Sequence, residues 1–206
     1  MRSALLDEDV KAFMAEQSRR TAQEFGQELG PSSPPLLEWG NRAEFRPVTA
    51  DGLPRIFVKR RYADWWRIRY QIAHELFHWL CTPPGIFHWT HELFAVEMAV
   101  RAMQELGEHD YVRRETKRLA AEAELLSLNA MLVTPFGDVP LAGVYGRAWV
   151  TGRALMDAIG WEGLKPLARS YDEHGKPDVA AWVRALERPK RTAVEGVLGR
   201  PSANWV

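Results

Sequence analysis

One cysteine, Cys81, stands in the 206 residues, so no intrachain disulfide can form and the fold must rest on packing. That usage points to a reducing compartment, and the expectation is a cytoplasmic protein. No run of about 18 apolar residues occurs, which excludes a helical membrane span. Neither sign of charge is in excess: Lys+Arg and Asp+Glu number 27 each, for a formal net charge of +0. Nothing global therefore calls for nucleic acid or an anionic membrane as partner. The first residues turn acidic at Asp7-Glu8-Asp9 before any long apolar stretch, so no secretory signal is expected. No internal repeat, low-complexity tract or interdomain linker interrupts the chain. The expectation is a single domain over residues 1–187 followed by a tail at 188–206.

What is present is a foldable composition, 46% hydrophobic with nine Trp. Residues 5–29 have the spacing of an amphipathic helix, with Leu5, Val10, Phe13, Met14, Phe25 and Leu29 on one side. The run Gly30-Pro31-Ser32-Ser33-Pro34-Pro35 should stop it. Short β-like pieces follow around Trp39, Phe45 and Ile56-Phe57-Val58, with turns at Asn41 and Asp51-Gly52. They predict a small antiparallel region within residues 1–61. From Tyr62 the chain reads as helical: 62–81, 91–106 with Thr90 as N-cap and Gly107 as stop, 110–131, 144–159, 161–171 and 177–186. The fold class expected is α+β, mostly α, with residues 62–107 and 108–187 forming its helical part.

Within the first of these helices lies His74-Glu75-Leu76-Phe77-His78, flanked by Ile72, Ala73, Trp79, Leu80 and Cys81. Ionisable groups in so apolar a helix cost several kcal/mol unless something pairs with them. Positions i and i+4 share a helix face, so His74 and His78 can hold one cation between their rings. Glu75 lies beside that face and can act on a water bound to the metal. This is the H-E-x-x-H pattern of zinc hydrolases. Zinc in a catalytic site takes three protein ligands and keeps one position open. His88, His91, Glu92 and Glu97 all follow closely enough to supply the third, and a glutamate from the next helix suits best. Glu92 and Glu97 lie five positions apart, roughly 140° of helix rotation, so one metal takes one of them.

The surrounding residues carry a resemblance. Ala73-His74-Glu75-Leu76-Phe77-His78-Trp79 resembles the AHELAHQW segment of the aminopeptidase N family. Trp89-Thr90-His91-Glu92-Leu93-Phe94-Ala95 resembles that family's WLNEGFA segment, whose glutamate is the third zinc ligand. Val144-Tyr145-Gly146-Arg147-Ala148-Trp149-Val150 is similar to its Y-x-K-G-A-x-V helix start, whose tyrosine binds the oxyanion. The family's GxMEN segment, which binds a substrate's free amino terminus, has no counterpart near Gly52-Leu53-Pro54-Arg55. Residues 69–76 also resemble the RFTLAHEL segment of ImmA-type regulatory peptidases.

The resemblance thus implies a minimal zinc metallopeptidase of the gluzincin clan, with a thermolysin-like catalytic domain. It implies His74, His78 and Glu92 as metal ligands, Glu75 as general base and Tyr145 as oxyanion donor. It implies Zn2+ as cofactor and a peptide or protein as substrate. The alternative from another class is a non-catalytic binding or regulatory module that keeps the fold around a structural zinc.

Overall fold

The computed structural model describes residues 2–27, 35–40, 44–47, 53–59, 65–83, 86–134 and 138–199. The turns expected at Asn41 and Asp51-Gly52 lie outside the described residues, as do residues 30–34 of the expected helix stop. The chain is mostly helical with one small sheet. In order, the elements are α1 (Arg2–Glu24), β1 (Leu36–Gly40), β2 (Glu44–Arg46), β3 (Arg55–Lys59), α2 (Trp65–Cys81) and α3 (Trp89–Glu105). Then come α4 (His109–Ala123), α5 (Leu128–Val133), α6 (Leu141–Ile159), α7 (Trp161–Leu164), a 3₁₀ turn (Lys165–Arg169), α8 (Val179–Ala185) and α9 (Arg188–Leu198). Among the described residues, no helix is long and apolar enough to cross a membrane. The chain divides into two compact units.

The first unit comprises Met1–Pro84 with Ala95–Arg114. Its helix α1 packs on α2 through Val10, Phe13, Met14, Ala22 and Phe25, and Phe25 meets Phe77 edge-on at 5.3 Å between centroids. Gln17, Ser18 and Thr21 are buried in the same stripe, so its middle is polar. The Ser18 hydroxyl meets its burial by donating to the Met14 carbonyl at 2.7 Å. The helix ends earlier than the proline run suggests. Gly26 takes φ 55, and the Gln27 amide reaches back to the Ala22 carbonyl at 2.7 Å, closing the end in a left-handed turn.

The sheet corrects the expectation of a purely antiparallel region. Its order is β1-β3-β2, with β2 antiparallel and β1 parallel to β3. Ile56 and Val58 share one face of the central strand β3 and are fully buried there. Trp39 and Arg46 are exposed, which suits β1 and β2 to the edges. α2 lies against β2 and β3.

The second unit comprises Gly85–Phe94 with Glu115–Val206. Here the long helix expected over 110–131 is broken. Residues 124–127 leave the helix, and Ser127 starts a new one by accepting the Ala130 amide at 3.1 Å. The Arg147 side chain caps the exposed end of α4, donating to the carbonyls of Ala123 and Leu126 at 2.5 and 2.8 Å. α6 packs with α5, α7 and α9 around Val144, Ala148 and Leu155. The tail expected from Arg188 is helical for eleven residues, with Val194 and Leu198 buried. Pro189 at its start and Gly199 at its end (φ 69) are ordinary helix boundaries.

α6 crosses α4 closely at Gly146. A methyl there would lie 2.4 Å from both the Ala123 nitrogen and the Leu119 carbonyl oxygen, and backbone cannot yield as a side chain does. Gly146→Ala should therefore lower stability by about 2 kcal/mol or more in chemical denaturation. Gly196→Ala, at an exposed position of α9 with open space around it, should raise stability by up to about 1 kcal/mol.

Candidate metal centre

α2 buries Ile68, Tyr70, Gln71, Ile72, Ala73, Glu75, Leu76, Phe77 and Cys81, and leaves His74 and His78 on its half-buried side. One turn apart, the two rings face each other. Their Nε2 atoms are 3.1 Å apart, and the ring planes meet at 66°. The other nitrogen of His78, Nδ1, lies 3.1 Å from the Thr82 hydroxyl one turn further on. That bond orients the ring so that Nε2 faces His74. Thr82 stands at i+4 from His78, the spacing at which two side chains meet on one helix face.

α3 is buried at every residue from 89 to 100, its polar residues included. Thr90 is inside the helix rather than its cap. The cap is His88, whose Nδ1 accepts the Thr90 amide at 3.3 Å and lies 2.8 Å from the Thr90 hydroxyl. Burial pushes the His88 pKa down to about 4, so at neutral pH the ring is an uncharged acceptor, as a cap must be. The cap fixes where α3 begins and so places Glu92 in its first turn.

The side-chain ligand atoms of His74, His78 and Glu92 all lie within 4.8 Å of one another. Two nitrogens at zinc–nitrogen distances of about 2.0–2.1 Å in a tetrahedron are about 3.3 Å apart, close to the spacing of the facing Nε2 atoms. Two imidazoles and a carboxylate suit zinc and other borderline divalent ions. The residues therefore fit such a metal. Glu97, the other glutamate considered, is turned elsewhere and receives the Arg101 Nε at 2.9 Å. Glu75 is buried on α2 beside the pair. His91 is 2% exposed inside α3, with Nε2 3.2 Å from the Tyr171 hydroxyl, so it is neither a ligand of this group nor a rim residue. Tyr145 is half-buried near the start of α6. Tyr171 had no sequence signal, being 80 positions from its partner.

Two outcomes follow from this geometry. Purified wild-type protein should carry close to one equivalent of metal by elemental mass spectrometry, and His74→Ala or Glu92→Gln should lose it, whereas Glu97→Gln should keep it. Equal metal content in the two glutamate variants would overturn the assignment of Glu92. His88→Ala should lower stability by about 1 kcal/mol in thermal melts, and His88→Asn, a good cap, should recover most of it. Compared with known protein families, with curated proteins and with solved structures, the chain finds no match in any of the three, so the reading of this site rests on its own residues.

Proposed function

We propose that the protein is a zinc-dependent peptidase that hydrolyses peptide bonds in a peptide or protein substrate. The observation that carries the reading is the facing His74 and His78 nitrogens with the Glu92 carboxylate beside them. Glu75 stands next to His74 on the same helix, which completes the hydrolase pattern. A helix bearing that pattern, followed by one bearing the third ligand, also suits a thermolysin-like catalytic domain of the gluzincin kind. A single buried cysteine agrees with a cytoplasmic setting.

Bound by His74, His78 and Glu92, zinc would supply Lewis acidity toward the scissile carbonyl and a water of lowered pKa. The chain's own groups do the rest. The Glu75 carboxylate takes a proton from the attacking water and passes it to the nitrogen of the leaving amine. The Tyr145 hydroxyl donates to the carbonyl oxygen as negative charge gathers there. Thr82 keeps His78 turned toward His74, which spares the site that reorganisation.

The test is Glu75→Gln, assayed against a peptide library by mass spectrometry. Cleavage should fall by about 100-fold or more while metal content stays at the wild-type level. Tyr145→Phe should cost about 100-fold in kcat. Zinc-loaded wild type that cuts nothing in the library or in a proteome digest would overturn the peptidase reading in favour of a structural zinc.

A further inference from the structure

Glu92 holds its place through its neighbours in the first turn of α3. The Leu93 side chain packs at Gly152 of α6, where an added methyl would lie 2.5 Å from the Leu93 Cγ. Phe94 meets Trp161 edge-on at 5.8 Å. These two contacts are apolar and tolerate sliding. The third, from His91 to Tyr171, is a hydrogen bond and has a direction.

Its polarity follows from a count of hydrogens. The Tyr171 hydroxyl donates to the Ala168 carbonyl at 3.0 Å. A phenol has one proton to give, so toward His91 the oxygen accepts, and the His91 Nε2–H donates across 3.2 Å. The chain delivers that oxygen on a braced hairpin. Tyr171 bridges to Pro177, and the Asp172 amide donates to the Lys176 carbonyl at 2.8 Å. The Asp172 carboxylate takes the amides of His174 and Lys176 at 2.9 and 2.8 Å. At the base, the Asp178 amide donates to the Ser170 carbonyl at 2.7 Å, and the Ser170 hydroxyl donates to the Asp178 carbonyl at 2.8 Å. Asp178 also caps α8. The hairpin so braced sets the Tyr171 oxygen against His91, which is 2% exposed. His91 and Glu92 are neighbours in the first turn of α3, so a bond that anchors His91 anchors the stretch of backbone that carries Glu92.

We propose that Tyr171 and His91 are positioning residues for the metal ligand Glu92. The inference rests on the metal site described above. Partners that hydrogen-bond a ligand directly change metal affinity by about 10–100-fold when removed, and an anchor one residue away should act at the low end of that range. The effect acts on coordination, so it appears in metal binding and in the spectrum of the bound metal as well as in turnover.

The experiment measures zinc affinity by competition with a chromophoric chelator, and the visible absorption of the Co(II)-loaded protein. Tyr171→Phe should weaken zinc binding by about 10-fold and alter the Co(II) band, and it should also lower the melting temperature of the metal-free protein, because it takes the acceptor from the buried His91 N–H. His91→Gln keeps an N–H near the Nε2 position and should stay within about 3-fold of wild type, whereas His91→Leu should weaken binding as Tyr171→Phe does. Tyr171→Phe with wild-type affinity and an unchanged Co(II) spectrum overturns the inference. Because a lost fold could itself weaken binding, the His91 variants decide between the two causes, and equal affinities for Gln and Leu overturn the inference. Wild-type protein that takes up no zinc overturns the metal site and this inference together. Wild type that binds zinc, with Tyr171→Phe like wild type and His91→Leu like His91→Gln, overturns this inference alone.

Discussion

A carboxylate or imidazole removed from water must be given a partner, or its burial destabilises the fold by several kcal/mol. Much of this structure follows from that demand. α3 is buried all round over twelve residues, yet carries Thr90, His91, Glu92 and Glu97. Glu97 is answered by Arg101, His91 by Tyr171 and Thr90 by the His88 cap. Outside α3 the same logic holds, as buried Glu115 is matched by Arg118 one turn away. Glu92 stands with the facing imidazoles of α2, the arrangement whose charge balance a divalent cation completes. The candidate site fits the same rule as these described groups, and a divalent cation is the partner that its three side chains would suit.

The readable parts of the fold were those set by local pattern. The spacing of Val10, Phe13 and Met14 marked the buried stripe of α1, and α2 and α3 lie close to where their apolar runs put them. His74 and His78 could be placed on one face because i and i+4 always share one. What could not be read was decided by contacts distant in sequence. β3 separates β1 from β2 and pairs with β1 in parallel, a pairing between distant stretches that turn residues do not encode. The break after α4 is held by Arg147, from another helix altogether. Tyr171 belongs to the same class, since only the folded chain brings it to His91.

Some signals were present and were outweighed. Thr90 is a good N-cap residue by type, yet the helix begins two residues earlier because the half-buried, neutral His88 takes that task. Pro189 and Gly199 bracket α9 as proline and glycine ordinarily bracket a helix, within a stretch whose basic composition suggested a tail. The polar middle of α1, Gln17, Ser18 and Thr21, hid part of a buried stripe because each residue is polar by type but buried by position.

Thr82 closes α2 with its amide on the His78 carbonyl at 3.0 Å, and with its hydroxyl it also holds the His78 ring. One residue therefore joins the end of a helix to the orientation of a ligand. Terminal turns open far more often than whole domains unfold. Each opening of this turn frees the ring from its tether, so fraying of a single helical turn would shorten the stay of an ion held there. By linkage, such an ion would slow the fraying in turn. Amide exchange at the end of α2 would then report on metal dissociation as well.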